Sequence, residues 1–410
     1  MDSDDLPLLI DTYAAPHRSM RIACVSETYP PEVNGVATTL AALVEGLHRR
    51  NHELQLIRPR QPTTDAAGGK LRFHEVLMRG LPIPNYPGLR MGLPSKRELV
   101  RLWSVRRPDV VHIATEGPLG WSALQAARHL KLPVSSDFRT NFHAYSRHYG
   151  VGWLHKPIML YLRKFHNLTH CTTVPTEALR GDLLAYGFRN LTVVGRGVDT
   201  TRFDPAKRSA ALRASWGVKA GELVVACVGR LAREKNLGVT LRAFDAMAAQ
   251  RLTKLVFVGD GPMREELRAQ CPQAVFAGQR TGEDLAAHYA SADVLLFPSL
   301  TESFGNVTTE AMASGLPVIA FHYAAAAQLI RTGVNGFVVP RDDEAGYVSC
   351  AAQACLDAPT LQALGARARE TACAHGWDRV VARFEALLQT VIESPVQTRT
   401  DKLFAMRRGA

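Results

Sequence analysis

The feature that most constrains the fold of this 410-residue sequence is a pattern in which short apolar runs alternate with segments of helical periodicity. This pattern occurs in two successive series. The first series opens with RIACVS (21–26) and ends with LTVVGRGV (191–198). After a polar, helix-poor segment at 199–209, a second series runs from LVVACVGR (223–230) to NGFVVP (335–340). Strand–helix alternation indicates a parallel sheet covered by helices on both faces. The sequence therefore predicts two doubly wound, Rossmann-like α/β domains that face each other across a cleft.

The length of the chain agrees with this division, because 410 residues exceed what one ordinary core encloses. Within the first series, the Gly- and Pro-rich passage at 60–95 predicts loops with a single short strand near HEVLM. The predicted parts are a loose leader (1–19), an N-terminal Rossmann-like domain (20–198), a C-terminal Rossmann-like domain (199–379), a helix that packs back on the N-terminal domain (380–394) and a tail (395–410).

Composition excludes several classes of protein. No apolar run approaches the roughly 20 residues of a membrane-spanning helix, and the acidic N-terminus does not resemble a secretory signal. The seven cysteines are scattered and none forms a C-x-x-C pair, so the sequence predicts neither a disulfide framework nor a zinc site. These features favour a protein of a reducing cytoplasm.

The positive charge is concentrated in one part of the chain. The net charge is +11, and residues 58–107 contain eleven lysines and arginines against Asp65, Glu75 and Glu98. Such a segment suggests an anionic partner, with a solvated arginine-rich surface as the equally weighted alternative. Because no stacking aromatics are interleaved with these bases, we do not expect nucleic acid to be the partner.

The most informative motif is PSLTESFGNVTTEAMASGLPVIA (298–320), which begins just after a buried strand. The polar turn Ser303–Asn306 leads into a helix predicted over 307–313, and such a helix N-terminus suits phosphate oxygens. Glu302 and Glu310 flank this turn, so one carboxylate is positioned to hold a sugar and the other a ribose. For an isolated pair we would favour surface roles, but the phosphate-type turn between them favours function.

Two further motifs place charged and small residues at the same predicted sheet edge. In VGRLAREKN (228–236), Arg230 and Lys235 follow a strand and are suited to stabilise a leaving diphosphate. The alternative is a surface cluster with Glu234. In VGDGPMREEL (258–267) a strand leads through glycines into a helix, a frequent pattern that is weak evidence by itself.

Together these motifs resemble the donor half of the retaining GT-B glycosyltransferases of family 4. The segment PPEVNGVA (30–37) is similar to the acceptor-side loop of the subgroup that contains GDP-mannose-dependent α-mannosyltransferases and sulfoquinovosyl-diacylglycerol synthases. The resemblance extends from about Arg21 to about Arg383. It implies a metal-independent transfer without a cofactor, from GDP-mannose or a UDP-sugar to a lipid or glycan acceptor.

The resemblance also implies individual roles. Glu302 would bind hydroxyls of the donor sugar, the backbone at 304–307 the diphosphate, and Glu310 the ribose. Arg230 and Lys235 would neutralise the leaving diphosphate. The expected donor-binding set is Gly35, Gly229, Gly259, Gly261, Gly278, Ser303, Phe304, Gly305, Asn306, Val307 and Glu310.

One position departs from the subgroup pattern. Where the subgroup commonly has F-H-T after the fifth strand, with the histidine close to the reacting centre, this chain has Phe138, Arg139 and Thr140. Arginine does not act as a base at neutral pH, but it is suited to hold a phosphate or carboxylate of the acceptor. His143 either substitutes for the histidine or is a helix-surface residue. The predicted catalytic set is therefore Arg230, Lys235, Glu302, Arg139 and His143.

The expected mechanism is a front-face transfer in which the leaving phosphate helps to deprotonate the acceptor hydroxyl. A nucleotide-sugar epimerase of the same fold and a non-catalytic carbohydrate-binding or nucleotide-sugar-binding protein remain as alternatives. A nicotinamide oxidoreductase is discounted, since ETYPPEVNG after the first strand contains no G-x-G-x-x-G. The basic segment and the amphipathic stretch at 153–165 favour peripheral contact with an anionic membrane, on its cytoplasmic face; packing of 153–165 on its own sheet is the alternative.

Overall fold

A computed structural model describes residues 19–30, 32, 34–61, 73–83, 86–139, 155–302, 304–355 and 357–394. Elements are numbered over these residues. The strands are β1 Arg21–Val25, β2 Glu53–Pro59, β3 His74–Met78, β4 Gly80–Ile83, β5 Tyr86–Gly92, β6 Val110–Ile113, β7 Val134–Asp137, β8 Cys171–Val174, β9 Leu191–Val193, β10 Leu223–Val228, β11 Thr253–Val258, β12 Val275–Gly278, β13 Val294–Phe297, β14 Val318–Phe321 and β15 Gly336–Val339. The α-helices are α1 Gly35–Arg49, α2 Lys96–Val105, α3 Pro118–His129, α4 His155–His166, α5 Glu177–Ala185, α6 Ala210–Ser215, α7 Leu237–Ala248, α8 Arg264–Gln270, α9 Gly282–Ala290, α10 Asn306–Ala313, α11 Ala324–Leu329, α12 Glu344–Gln353, α13 Ala358–Cys373 and α14 Trp377–Glu393.

The N-terminal domain is built on a seven-stranded parallel sheet in the order β3-β2-β1-β6-β7-β8-β9. Strands β1 and β6 at its centre are largely apolar and buried, as expected where helices cover both faces. The strand order reverses between β1 and β6, and ligands of open α/β sheets bind at the carboxyl ends of the strands at such a point. The predicted doubly wound fold of the first half is confirmed.

The C-terminal domain repeats this plan with a six-stranded parallel sheet in the order β12-β11-β10-β13-β14-β15. Apolar clusters pack on both of its faces, one containing Phe257 and Tyr347 and the other Tyr289 and Met312. Here the order reverses between β10 and β13. The carboxyl ends of these two strands carry the motifs around Lys235 and Glu302.

Two local predictions differ from the structure. The passage at 60–95 contains not one strand but three, because after β3 the chain forms an antiparallel hairpin of β4 and β5 in which Leu81 pairs with Met91. The predicted strand at 191–198 ends at Val193, and the following residues form an extended link. Gly195 and Gly197 explain this early end, since glycine adds no side chain to a sheet face.

The last described helix, α14, packs on α1 of the N-terminal domain. Phe384 and Leu388 are buried in a cluster with Leu40 and Leu43. In addition, the buried Glu385 accepts a hydrogen bond of 2.6 Å from Arg50 Nε and forms a contact of 2.6 Å with His52. The chain therefore leaves the N-terminal domain after β9 and returns to it at its end.

The two domains meet where the link after β9 contacts the C-terminal domain. A Cβ atom added to Gly195 would lie 3.6 Å from the Phe304 ring, and Arg196 Nη1 lies 3.4 Å from Asn306 Oδ1. This close approach brings the carboxyl ends of both sheets to a common cleft. In the described part of the chain, no helix is both long and apolar enough to cross a membrane.

Candidate functional site

Lys235 and Glu302 form the centre of the candidate site. Lys235 lies in the short 3-10 turn after β10, and Glu302 lies in the loop after β13. The Lys235 ammonium forms an ion pair with Glu302 Oε1, and both side chains are largely covered, with exposures of 21% and 16%. Ser299 donates a second hydrogen bond of 2.7 Å to the same oxygen. The fold thus brings together two residues, 67 positions apart, that the sequence assigned to one site.

Arg230 lies on the same edge but has a different partner. Its guanidinium pairs with Glu234, with Nε donating at 3.0 Å, and its side chain is 53% exposed. The surface cluster considered from the sequence therefore includes Arg230 and Glu234, while Lys235 turns away from them toward Glu302. An exposed ion pair of this kind contributes little to stability.

The turn before α10 provides the helix N-terminus that the sequence predicted. The helix begins at Asn306, one residue earlier than predicted, and Gly305 precedes it with φ 92°. Glycine suits this left-handed conformation because a Cβ atom would be strained there. The buried Phe304 fixes the turn, because its carbonyl accepts a hydrogen bond of 2.8 Å from Ala325.

Glu310 lies within α10 and contacts the neighbouring helix α9. Its Oε2 accepts a hydrogen bond of 2.9 Å from the Tyr289 hydroxyl. Burial raises the pKa of this carboxyl group, although Tyr289 and the charge of Arg202 act in the opposite direction. A carboxylate held in this way can accept a further hydrogen bond from a ligand hydroxyl.

The predicted donor-binding glycines fit closely packed loops. Gly229 and Gly259 both have φ near +140°, and a Cβ atom on Gly259 would lie 1.9 Å from the Gly229 carbonyl oxygen. A Cβ atom on Gly261 would lie 2.4 Å from the Leu231 carbonyl oxygen, whereas Gly278 has open space. The absence of side chains at 259 and 261 is thus required by packing between loops, whereas at 229 glycine is favoured by the backbone conformation alone. Their role in donor binding remains a prediction.

On the N-terminal side of the cleft, Arg139 is almost completely buried, with 3% exposure. It follows β7, and its Nε donates a hydrogen bond of 2.6 Å to Asp137 Oδ2. The imidazole of His112 lies 3.5 Å from the same oxygen. Although burial acts in the opposite direction, the Arg139 and His112 side chains lower the pKa of Asp137 well below its usual range. Arg139 thus occupies a charged, buried cluster at the carboxyl edge of the sheet.

Arg196 was not identified from the sequence. It lies in the link after β9 and is 6% exposed, and its Nη1 donates a long hydrogen bond of 3.4 Å to Asn306 of the other domain. Burial and the charge of Arg139 together lower its pKa to about 10, although Asp137 and Glu302 act in the opposite direction. The only sequence signal was an arginine between two glycines at the end of a strand series.

The N-terminus of α1 lies beside this arginine. Asn34 caps the helix, since its Oδ1 accepts hydrogen bonds from Val36 and Ala37 at 3.1 and 2.9 Å. A Cβ atom added to Gly35 would lie 2.8 Å from Arg196 Nη1. Gly35, predicted to let the backbone approach a ligand, thus makes room for the Arg196 guanidinium.

The structure therefore brings most of the predicted residues to one cleft. The C-terminal side contributes Lys235, Glu302, Arg230 and the start of α10, and Val307 lies in the first turn of that helix. Ser303 and His143 lie outside the described residues, so their predicted roles are not addressed.

Comparison with known proteins gives a consistent result. Residues 33–202 match the model described as Glycosyltransferase Family 4, and residues 222–357 match Glycosyl transferases group 1. The chain is 34% identical, over 90% of its length and 98% of the relative, to a GDP-mannose-dependent alpha-mannosyltransferase of Mycolicibacterium smegmatis. It is 31% identical to the sulfoquinovosyl transferase SQD2 of Arabidopsis thaliana, over 73% of this chain and 60% of the relative.

Relatives and solved structures of lower identity match the chain as well. An alpha-monoglucosyldiacylglycerol synthase of Streptococcus pneumoniae is 28% identical over 73% of this chain and 71% of that protein. Among solved structures, Anabaena HepE in complex with UDP superposes with a TM-score of 0.73 at 18% identity, over 90% of this chain and all of that one. The last comparison supports the fold alone.

Proposed function

Because the chain is a member of glycosyltransferase family 4 with the GT-B fold, we propose that it transfers a hexose, with mannose as the first choice, from a nucleoside diphosphate sugar to a lipid or glycan acceptor, with retention of the anomeric configuration. The name of the mycolicibacterial relative supports GDP-mannose as the donor, and UDP-sugars are the next choice. The name of the streptococcal relative supports a lipid acceptor.

The observation that carries this proposal is the ion pair between Lys235 and Glu302 beside the N-terminus of α10. In the proposed complex, the diphosphate binds the amides at the start of α10 and draws the Lys235 ammonium to itself, which releases Glu302 to accept hydrogen bonds from sugar hydroxyls. Arg230 turns from Glu234 to the outer phosphate. Glu310, held by Tyr289, accepts hydrogen bonds from the ribose.

The reaction needs no nucleophile from the protein in this proposal. As the bond to the sugar breaks, negative charge develops on the leaving diphosphate, and Lys235, Arg230 and the α10 dipole stabilise it. A phosphate oxygen then accepts the proton of the acceptor hydroxyl, which attacks the same face of the sugar. We propose that no divalent cation is required, since these groups supply the positive charge.

We further propose that the acceptor approaches from a membrane surface bound by the hairpin of β4 and β5. Leu81 and Met91, which pair across this hairpin, are 52% and 42% exposed. Arg60 and Arg79, both exposed, line a pocket at the base of the hairpin. Three further exposed bases, Lys96, Arg97 and Arg101, lie on α2, which follows the hairpin in the chain. Apolar side chains within a basic surface are suited to an anionic bilayer.

Part of the basic segment does not belong to this surface. Arg58 is buried and donates a hydrogen bond of 2.6 Å to Glu75. In α4, Met159 and Phe165 pack on the sheet of their own domain, which supports the alternative reading of that stretch, while Leu160 remains 56% exposed. The hairpin is therefore the better candidate for membrane contact than α4.

The donor proposal is tested by thermal unfolding of the purified protein with GDP, UDP, GDP-mannose and UDP-glucose, in the presence of EDTA. A ligand that binds only the folded state raises the melting temperature. We expect a shift of several degrees with the guanine nucleotides and transfer of mannose from GDP-mannose in EDTA. Stabilisation by UDP compounds alone would replace the proposed donor, and the absence of any shift would refute the diphosphate site.

Membrane contact is tested by sedimentation with vesicles of phosphatidylcholine, with and without phosphatidylglycerol. We expect binding only to the anionic vesicles and a loss of at least fivefold in the double variant Leu81→Ser/Met91→Ser. The matched control is Leu252→Ser, since Leu252 is 53% exposed in the other domain. Equal binding by both variants would contradict the proposed surface.

A further inference from the structure

Arg139 and Arg196 hold hydrogen-bond donors that the described structure does not use. Within the described residues, Nη1 and Nη2 of Arg139 and Nε of Arg196 are buried and have no partner. Each unpaired buried donor of a charged group is destabilising, commonly by more than the 1–3 kcal/mol typical of neutral groups. Buried polar groups without a partner require an explanation, and a missing ligand is one of the standard explanations.

The charges around these donors are also unbalanced. Arg196 Nη1 lies beside Gly35 at the N-terminus of α1 and donates to Asn306 at the N-terminus of α10, so it adjoins the positive ends of two helices. Arg139 adds a second full charge nearby. Of the two neighbouring carboxylates, Asp137 is paired with Arg139 and Glu302 with Lys235. The cluster therefore keeps an excess of positive charge in a poorly hydrated place.

The two arginines extend from a different domain than the lysine and arginine of the expected donor clamp, and Arg196 reaches across to Asn306 at the start of α10. Arg139 follows β7 and Arg196 follows β9, so both belong to the N-terminal sheet. Lys235 and Arg230 follow β10 in the C-terminal domain. An anion held by the arginine pair would thus lie on the acceptor side of the transferred sugar.

We propose that Arg139 and Arg196 form an anion-binding subsite for a phosphate or carboxylate group on the acceptor. This inference rests on the proposed transferase function and specifies its acceptor class. The guanidinium of Arg139, anchored through Nε by Asp137, presents both Nη groups, a geometry that binds two oxygens of one anion. A lysine or histidine at position 139 would not offer this fork.

Entry of the anion requires the cleft to widen. Both guanidinium groups are almost covered, and the only described hydrogen bond between Arg196 and the C-terminal domain is the 3.4 Å contact with Asn306. Such a long hydrogen bond is weak and is readily exchanged for one to an incoming oxyanion. Arg196 would then bind the acceptor as the domains close around both substrates.

The first test is calorimetric titration of inorganic phosphate into the full-length protein saturated with its nucleoside diphosphate, GDP in the proposal above. We expect phosphate to bind beside GDP and Arg139→Gln and Arg196→Gln each to weaken it at least tenfold. The control is Arg128→Gln, an exposed arginine on α3 of the same domain. Equal affinity in Arg139→Gln and Arg128→Gln, or competition between phosphate and GDP, would overturn the proposal.

Since Arg139→Gln leaves Asp137 buried without its partner, the double variant Asp137→Asn/Arg139→Gln is measured as well. It removes both charges and is expected to fold while still failing to bind phosphate. Retention of phosphate binding by the folded double variant would contradict the assignment.

The second test asks whether the anion is part of the acceptor. Octyl glucoside and octyl glucuronide differ by one carboxylate, and their binding to the GDP-saturated protein is compared. We expect the wild type to bind the glucuronide at least tenfold more tightly and Arg139→Gln to bind both alike. Equal binding of both glycosides by the wild type would refute an acceptor carboxylate. Preference for the glucuronide preserved in Arg139→Gln would refute the role of Arg139 in binding it.

Failure of GDP to bind in the first titration would instead reject the donor proposal. Phosphate binding to the nucleotide-free protein would then still test the arginine pair.

Discussion

The ammonium group of Lys235 and the carboxylate of Glu302 neutralise each other between the loops that follow β10 and β13, two adjacent strands of the C-terminal sheet. In the ligand-free protein each therefore keeps the other in place. In the proposed complex, a diphosphate sugar would offer each a better partner, phosphate for the lysine and hydroxyl groups for the glutamate. The ion pair would then hold both side chains near their bound positions, which lowers the cost of ordering them on binding.

Replacing either member of this pair is expected to reduce turnover strongly. Lys235→Ala removes a charge that stabilises the leaving diphosphate, and Glu302→Ala removes a sugar contact, so each should lower kcat/KM by about 100-fold or more. The unfolding free energy should fall by only about 1 kcal/mol, since both side chains keep some exposure. Steady-state kinetics and urea unfolding measure the two effects.

The matched control is Arg233→Ala, an exposed arginine in the same 3-10 turn as Lys235. Its turnover should stay within about twofold of the wild type, because surface substitutions usually have little effect. A comparable loss of turnover in Arg233→Ala would mean that Lys235 acts through the turn and not through a substrate contact.

Glu310→Gln is expected to change stability in a pH-dependent way. Burial raises the pKa of Glu310 in the folded state, so the ionised form is disfavoured there and wild-type stability is lost as pH rises through the folded pKa. The glutamine variant should thus be more stable than the wild type at pH 7.5, with the difference closing toward pH 4. Urea unfolding at both pH values tests this sign, and a difference that grew toward pH 4 would contradict it.

Affinity for the nucleotide should fall about three- to tenfold in Glu310→Gln, because a charged hydrogen-bond acceptor is replaced by a neutral one.

Arg139→Gln is expected to destabilise the fold by about 3–5 kcal/mol at pH 7, since it leaves the buried Asp137 carboxylate without its main partner. Adding Asp137→Asn should recover most of this loss. In the wild type the pKa of Asp137 is lower in the folded state than in the unfolded state, where it is about 3.9. The ionised carboxylate therefore stabilises the fold, and this contribution is lost only when the pH falls below about 3.9. In Arg139→Gln protonation of Asp137 becomes easier, so the deficit should shrink as pH falls from 7 toward 4. A deficit independent of pH would show that the carboxylate is not its cause.

Gly259→Ala is expected to disrupt the donor-side loops. The added Cβ atom would lie 1.9 Å from the Gly229 carbonyl oxygen, and the backbone has φ 142°. We expect a loss of roughly 3 kcal/mol or more in unfolding free energy together with weaker nucleotide binding. The control Gly238→Ala, in α7 with nothing within 4 Å, should be neutral or stabilising by up to about 1 kcal/mol. Equal stability of both variants would refute the packing argument.

The two sheets were predictable because their strands are continuous apolar runs, and buried parallel strands have few other solutions. The pairing of Lys235 with Glu302 was also within reach, since both follow strands that end at the same sheet edge. The hairpin of β4 and β5 was missed because its Pro- and Gly-rich sequence reads as loop.

Arg196 could not be identified from the sequence because its role depends on contacts with residues that are distant in the chain. In sequence it is one arginine among many, and only the fold places it against Gly35, Asn306 and Arg139. Arg139 was noticed for its departure from a family pattern, but its burial and its pairing with Asp137 depend on the sheet. Charge clusters assembled from distant segments carry no periodic signal.

The return of α14 to the N-terminal domain has a consequence for how the protein is made. During synthesis the first 200 residues leave the ribosome long before Phe384 and Leu388, which complete the apolar cluster around α1. The first domain to emerge is therefore the last to be finished, contrary to the usual order in which domains fold from the N-terminus. Until translation ends, the nascent chain must carry an uncovered apolar face on α1, and a chain truncated near residue 376 would have the strands of both sheets but would lack the helix that covers this face.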